Sequence, residues 1–342
     1  MGSSLNPARR SGTASRGREP PDHLASHYSR WPHWLAWALA VSTFPLIWMG
    51  GLVTTYRAGM AVYDWPSTFG YWFFYPLKYW LPVWDVFLEH GHRLVGMAVG
   101  LWTIALGISL WRCESRRGVR WLGAIALAAV CYQGALGGLR VVANAVILAN
   151  VHGCTAPLFF ALAASLVVLT SRRWIDGPAA QPAPEARTLG RGSICITALV
   201  YLQIVLGAQL RHLLPDGGPF WFPRWVWLHV LNACLVLGGI LWLRRAVIHW
   251  SAEFPQLRRR ANWLLIVFLL QLLLGTGTWA VHYGIPVWFA EYVRPVNYTV
   301  VTLGRLQGLT TTLHVAMGAL SLVTSLSLSL WLHRLLSPLE NQ

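Results

Sequence analysis

Long apolar stretches dominate this sequence and limit the chain to few architectures. Blocks of about 20 apolar residues recur along it, and each is long enough to cross a hydrocarbon core about 30 Å thick. Of the 342 residues, 55% are hydrophobic and only 11% are charged, whereas soluble domains carry about 25% charged residues. A bilayer requires every backbone polar group to be paired, and no series of short alternating strands is present. The sequence therefore predicts an all-α membrane protein.

Eight membrane spans are predicted from these blocks. We place them at about residues 32–54, 87–111, 119–139, 146–171, 191–211, 224–246, 261–282 and 306–332. Most of the 27 Lys and Arg residues lie in the N-terminal tail and in the connections after the even-numbered spans. The positive-inside rule makes this side, which holds both termini, cytoplasmic. The same arrangement argues against a nucleic-acid partner, despite a net charge of +15.

Polar segments divide the chain into predicted domains. Residues 1–31 are polar and lack the apolar region of a signal peptide, so we interpret them as a disordered cytoplasmic tail. Residues 174–190 are rich in Pro, Ala and Gly, which is typical of a flexible linker. This cytoplasmic linker separates two predicted four-helix bundles, 32–173 and 191–334. The five cysteines are scattered and have neither metal-ligand nor disulfide-framework spacing.

The two predicted bundles resemble each other in where they place small and polar residues. Odd-numbered spans have a glutamine followed four residues later by glycine, and the first span has Gly50-Gly51 at the matching depth. The glutamine–glycine pairs are Gln133/Gly137, Gln203/Gly207 and Gln271/Gly275. Helix packing is the first interpretation of this motif, and lining a site is the second. Each even-numbered span carries one histidine near its outer end: His92, His152, His229 and His314. We predict two tandem bundles with pseudo-symmetry.

Four histidines at one depth favour haem ligation over four separate structural roles. A six-coordinate haem iron needs two axial ligands, and facing helices of a bundle supply them. We predict one site between His92 and His152 and another between His229 and His314. Haem propionates need cations, and positive charge is otherwise scarce on the predicted outer side. The candidate partners are Arg57, Arg93, Arg140 and Arg211, for which contact with lipid headgroups is the alternative.

The segment Glu89-His90-Gly91-His92-Arg93 distinguishes the first bundle from the second. On a helix, Glu89, His92 and Arg93 share one face, and His90 points roughly the other way. The position that matches Glu89 in the second bundle is Val226. One reacting haem and one resident haem would explain a carboxylate at only one site. A simple ion pair between Glu89 and Arg93 explains it as well. We predict that His90 either supports the site from a neighbouring position or has no part in it.

The sequence resembles the haem A synthase family over about residues 32–334. The shared motifs are Gly50-Gly51-Leu52-Val53-Thr54, Ala58-Gly59-Met60, Asp64-Trp65-Pro66, Glu89 through Arg93, Gln133 through Arg140, His152, His229 and His314. The resemblance implies oxidation of the C8 methyl of haem O, through the alcohol, to the formyl group of haem A. It implies oxygen from water, and a catalytic role for Glu89. Substrate haem O would lie between His92 and His152, and a resident haem b between His229 and His314.

The resemblance also implies partners and a location. We expect a bacterial plasma membrane protein, in contact with the bilayer, whose haem sites lie near the outer face. A haem O synthase and a membrane or soluble electron partner are expected, and a homo-oligomer is left open. Many bacterial relatives have a cysteine pair in the first outer loop, but residues 55–86 contain no cysteine here. A disulfide-linked step in this loop is therefore ruled out.

Two other functions fit parts of the pattern. A di-haem cytochrome b that exchanges electrons with quinone would need the same four histidines, but Glu89 and the unequal halves favour the synthase. A transporter with histidine proton relays would be expected to have inverted repeats and helices broken at mid-membrane. Here the repeats are parallel and the polar residues lie at the outer rim.

Overall fold

The structure is a computed structural model, and it describes residues 29–72, 74–213, 218–250, 252–284 and 300–339. The predicted disordered tail lies outside the described residues except for its last three positions.

Eight long helices make up most of the described structure. They are α1 (Trp31–Thr55), α2 (Trp84–Cys113), α3 (Arg117–Val142), α4 (Val146–Leu169), α5 (Ala186–Arg211), α6 (Gly218–Ala246), α7 (Pro255–Tyr283) and α8 (Arg305–Leu335). Each is long and apolar enough to cross a membrane. The prediction of an all-α membrane protein with eight spans is confirmed. Most helices extend a few residues beyond the predicted spans, because polar and aromatic residues continue the helix past the apolar core.

Proline marks the start of two helices, α1 and α7, and also lies inside three, α1, α4 and α6. Pro32 is in the first turn of α1 and Pro255 begins α7, where the missing N–H has no helical partner to lose. Pro45, Pro157 and Pro223 lie within α1, α4 and α6. Neighbouring helices in a membrane bundle can satisfy the backbone groups that such prolines free.

Buried apolar side chains form two main clusters. One contains residues of α1 to α4 together with Ala319 of α8, and the other contains residues of α5 to α8 together with Ala161 of α4. Each predicted bundle thus has its own core, and one alanine of each bundle enters the core of the other. The pseudo-symmetry of the two bundles stays a prediction.

The segment between α4 and α5 is held against the end of α8. A short helix covers Arg172–Ile175, and β1 (Gln181–Pro182) pairs in parallel with β2 (Leu336–Ser337). The guanidinium group of Arg334 donates hydrogen bonds to the carbonyls of Pro178 and Gly177, at 2.8 and 3.1 Å. The role of this segment as a linker between bundles stays a prediction.

Residues 56–72 and 74–83 form a cap between α1 and α2, which we call the outer cap because the segment belongs to the predicted outer loop. The cap contains a short 3-10 helix, Ala58–Met60, and a short helix, Leu77–Trp80. The carboxylate of Asp64 accepts hydrogen bonds from the Ser67 hydroxyl and from the backbone N–H groups of Phe69 and Gly70. Burial tends to raise the pKa of Asp64, but these hydrogen bonds outweigh it and hold the pKa below its ordinary value. The cap turn is therefore most stable when Asp64 is ionised.

Candidate functional site

Each of the four predicted histidine ligands lies against a glycine of the preceding helix. A Cβ atom placed on that glycine would come within 3.4 Å of the histidine Cε1 atom in every case. The pairs and distances are Gly50–His92 (3.1 Å), Gly137–His152 (3.4 Å), Gly207–His229 (3.2 Å) and Gly275–His314 (2.9 Å). The same contact therefore recurs between α1 and α2, α3 and α4, α5 and α6, and α7 and α8.

A backbone carbonyl four residues before each glycine faces the same ring. The Nδ1 atom of His314 lies 3.1 Å from the carbonyl oxygen of Gln271. The carbonyls of Leu46, Gln133 and Gln203 face the rings of His92, His152 and His229 respectively, without reaching hydrogen-bonding geometry. A carbonyl that holds Nδ1–H selects the tautomer in which Nε2 carries the free lone pair. Nε2 is thus the nitrogen suited to bind a metal.

The glutamines of the repeated motif also link neighbouring helices. The side chain of Gln203 donates to the carbonyl of His229 at 2.9 Å and accepts from Asn232 at 2.7 Å. The side chain of Gln133 donates to the Thr155 hydroxyl of α4. The packing interpretation of the glutamine and glycine motif is confirmed, and the glycines also border the histidines.

The separation of the second histidine pair fits axial ligation of a haem. The ring centroids of His229 and His314 lie 6.2 Å apart at an interplanar angle of 68°. This separation accommodates a metal ion between the rings, because metal–imidazole nitrogen bonds are about 2 Å long. The rings of His92 and His152 are close enough to interact electrostatically. No group of three or more His, Cys, Asp or Glu side chains suited to a metal occurs in the described part of the chain.

Glu89 is a buried carboxylate with two protein partners. Its side chain is 2% exposed. Oε2 accepts a hydrogen bond of 2.9 Å from the backbone N–H of Val62, and Oε1 accepts one of 2.9 Å from Arg93 Nη2. The ion pair that the spacing suggested is therefore present. The guanidinium group of Arg140 also lies close enough to interact electrostatically with Glu89.

Arg93 joins α2 to the outer cap. Its Nη1 atom donates to the carbonyls of Asp64 and Ser67, both at 2.7 Å, and its Nη2 atom donates to the carbonyl of Val62 at 3.0 Å. Together with Glu89, these acceptors engage both terminal nitrogens of the guanidinium group. Binding of a haem propionate by Arg93 stays a prediction. The described contacts of Arg93 connect α2 to the cap.

The other three arginines occupy different environments. Arg140 lies against Gly59 of the cap and close to both His92 and His152, and its side chain makes no hydrogen bond to the described residues. Arg211 donates to Gly51 O and Thr55 Oγ1, both at 2.7 Å, and its Nη1 atom is buried without a described partner. It also lies near His314. Arg57 is exposed at the start of the cap. Arg140 thus lies beside the first histidine pair, and Arg211 lies beside His314 of the second.

His90 faces the cap, away from His92. It is 2% exposed, and its Nδ1 atom lies 3.0 Å from the Thr68 hydroxyl. The ring makes edge contacts with Trp80 at 5.0 Å and with Tyr75 at 6.0 Å between centroids. These contacts suit the supporting role that the helical spacing predicted.

One family profile matches this chain. It is COX15-CtaA, described as cytochrome oxidase assembly protein, and it matches residues 33–214. This range covers more than half of the 342 residues and includes the first histidine pair and Glu89. The chain belongs to the COX15-CtaA family. His229 and His314 lie beyond the range that the profile matches.

Two relatives of this COX15-CtaA protein carry the name "Heme A synthase". The protein of Shouchella clausii (strain KSM-K16) is 31% identical over 186 residues, which cover 52% of this chain and 59% of the relative. The protein of Rhodopseudomonas palustris (strain HaA2) is 27% identical over 289 residues, which cover 73% of this chain and 71% of the relative. The match to the first relative thus spans well under two thirds of that protein's length. The predicted resemblance to the haem A synthase family is confirmed.

Several contacts of this COX15-CtaA member are absent from the sequence-based prediction. Trp65 of the cap packs against Gly138 of α3, so the cap is docked on the helix that carries Arg140. Trp48 Nε1 donates to Thr312 Oγ1 at 2.9 Å, which joins α1 to α8 two residues before His314. The sequence marks Trp65 and Gly138 as motif residues, but it does not indicate that they meet. Trp48 and Thr312 carry no recognisable signal.

Proposed function

We propose that this protein is a haem A synthase, an oxidoreductase that converts a ring methyl of haem O to a formyl group. The observation that carries the proposal is the buried carboxylate of Glu89, one helical turn from His92. The matching position before His229 is Val226. The names of the two relatives support the same activity.

The proposed reaction needs water and an electron acceptor. Conversion of a methyl group to a formyl group consumes one water molecule and releases four protons and four electrons. The oxygen of the water becomes the formyl oxygen. The electrons pass to a membrane or soluble redox partner, and a haem O synthase supplies the substrate.

Glu89 would act as base and as charge stabiliser. A carboxylate beside the reacting methyl can take a proton from the attacking water and stabilise positive charge that develops on the carbon. Hydrogen bonds from Val62 N and Arg93 hold the carboxylate in place. The cap that supplies Val62 covers this end of the helices, which limits access of bulk water to the site. Arg140, beside Glu89 and His92, is suited to bind a propionate of the substrate by charge-assisted hydrogen bonds.

The second histidine pair would hold a resident haem b. His229 and His314 would be its axial ligands, with Arg211 as a candidate partner for a propionate. A bound haem b would supply a one-electron redox centre. We place both histidine pairs near the outer face of a bacterial plasma membrane, with the termini in the cytoplasm.

Haem composition tests the proposal. The full chain is co-expressed with a source of haem O and purified, and its haems are extracted and separated by chromatography. We expect haem b together with haem A or its hydroxylated precursor. A di-haem cytochrome b, which is the alternative function supported by the four histidines, would yield haem b alone, and that result would contradict the synthase.

A further inference from the structure

A basic cavity lies at the end of the helices opposite to the histidine pairs. Its volume is about 820 Å³. The short helix Arg172–Ile175 after α4, the first turns of α7 and the last turns of α8 form its walls. Five arginines line it: Arg172, Arg173, Arg258, Arg259 and Arg260. The cavity therefore lies where the two predicted bundles meet, on the side predicted to be cytoplasmic.

Positive charge in the basic cavity is poorly balanced by the protein. Asp176 is the only carboxylate among the residues that line it. Arg173, Arg258, Arg259 and Arg260 have no described carboxylate partner. Arg173 and Arg259 are also close enough to Arg260 to repel it. A concave surface with one sign of charge concentrates counter-ions.

Two buried donors on the wall of the cavity have no described partner. Trp331 is 3% exposed, and its Nε1 atom makes no hydrogen bond. The Nε atom of Arg260 is likewise buried and unpaired, although its Nη1 atom donates to Ser327 Oγ at 2.7 Å. The guanidinium carbon of Arg260 lies 4.9 Å from the centroid of the Trp331 ring. The Arg260–Trp331 contact is therefore a buried part of the wall, and the exposed Arg173, Arg258 and Arg259 supply the charge that a ligand would meet.

The start of α7 adds to the positive potential. α7 begins at Pro255, has no acidic residue in its first turn, and has no side-chain cap. Pro255, Gln256 and Arg258 line the cavity. The positive end of the helix dipole favours phosphate and other anions.

We propose that the basic cavity binds the phosphate groups of an anionic phospholipid. The volume is far larger than one phosphate needs, and it suits a headgroup with more than one phosphate. The cavity also lies at the end of membrane helices, on the predicted side where anionic lipid headgroups and basic residues meet. A lipid bound in the basic cavity would contact both predicted bundles, because residues of both bundles form the walls of the cavity.

Lipid binding by exposed-arginine variants tests the proposal. The full chain in detergent is titrated with diphosphatidylglycerol or with phosphatidylcholine, and bound lipid is counted by native mass spectrometry. Arg258→Gln combined with Arg259→Gln removes two exposed cavity arginines. The matched control, Arg187→Gln combined with Arg191→Gln, removes two exposed arginines from the first turns of α5. We expect the cavity variant to bind diphosphatidylglycerol roughly thirtyfold more weakly, and the control to bind like the unmodified chain.

Further arms separate the outcomes. Arg173→Gln, on the opposite wall, should also weaken binding, and phosphatidylcholine should bind weakly to every variant. Equal binding by the cavity and control variants would overturn the proposal, because general surface charge would then explain it. If pyrophosphate binds in the cavity and diphosphatidylglycerol does not, the proposal that the ligand is a phospholipid is overturned. Far-ultraviolet circular dichroism of each variant shows whether it keeps the helical fold.

Discussion

At the scale of single residues, the contact between each predicted histidine ligand and a glycine of the preceding helix is the most regular feature of the molecule. The Cε1 atom of each predicted ligand lies against a glycine, and the Nδ1 atom of His314 also lies 3.1 Å from a backbone carbonyl. Two neighbouring helices therefore determine the position of each ring. One helix carries the histidine, and the other contributes the glycine against which the ring packs. If these histidines bind haem as proposed, rings positioned in advance would reduce the cost of ordering the ligands.

Gly275→Ala tests whether the glycine contact determines the position of the His314 ring. Its Cβ atom would lie 2.9 Å from His314 Cε1, so the ring must move by a few tenths of an ångström. Overpacking of this kind costs about 1–3 kcal/mol, and we expect the haem b content to fall roughly tenfold or more. We also expect the electron paramagnetic resonance signal of low-spin ferric haem to shift.

Gly238→Ala is the control for this substitution. A Cβ atom on Gly238 meets nothing within 4 Å, and alanine is the better helix former by about 0.5–1 kcal/mol. Haem b should therefore be retained there. Unchanged haem content and an unchanged signal in Gly275→Ala would show that the glycine does not determine the ring position.

At the scale of elements, the outer cap is held to the helices by polar contacts at one point and by packing at another. Arg93 of α2 donates to the carbonyls of Val62, Asp64 and Ser67. Trp65 packs against Gly138 of α3. The same cap presents the Val62 N–H to Glu89, so the position of the carboxylate depends on the order of the cap.

Arg93→Lys tests this dependence. A lysine keeps the charge but lacks the planar fork that reaches several carbonyls at once. Hydrogen bonds to charged groups contribute about 1.5–3 kcal/mol, so a loss of about 2 kcal/mol would speed local opening roughly thirtyfold. Hydrogen–deuterium exchange of residues 62–71 should increase accordingly, while α5 to α8 stay unchanged.

Arg57→Lys provides the comparison for the cap. Arg57 is exposed and makes no described side-chain hydrogen bond, so its replacement should leave exchange in residues 62–71 as it is. Equal exchange in Arg93→Lys and the unmodified chain would mean that the cap is held by packing alone.

The elements were more predictable from the sequence than the contacts between them. Apolar length and interfacial charge indicate the eight helices, because both follow from the bilayer alone. The common depth of the four histidines could be predicted from the Gln and Gly repeat. The direction of Arg93 could not be predicted, because it depends on where the cap carbonyls lie after folding. The same is true of Arg211, which reaches from α5 to Gly51 and Thr55 of α1.

At the scale of the whole molecule, the two halves are joined close to their histidine pairs. Trp48 of α1 donates a hydrogen bond of 2.9 Å to Thr312 of α8. Arg211 of α5 donates to the carbonyl of Gly51, which follows the glycine that contacts His92. Asn150 and Gln209 are also hydrogen-bonded between α4 and α5. Hydrogen bonds thus connect the helices of the proposed substrate site to those of the proposed haem b site. Among the described residues, the two sites differ in that the first has the buried carboxylate of Glu89, whereas the matching position in the second is Val226.

Glu89→Gln is the most direct test of the proposed synthase, because it keeps the shape of the side chain and removes its charge. The variant is co-expressed with a haem O supply, and the extracted haems are separated by chromatography. General base catalysis contributes about 10²–10⁴-fold, so we predict at least a hundredfold loss of haem A, with haem b retained and haem O or its alcohol accumulating. Glu114→Gln, which alters the ion pair with Arg116 at the other end of α2, should make haem A normally. Normal haem A production by Glu89→Gln would contradict the account.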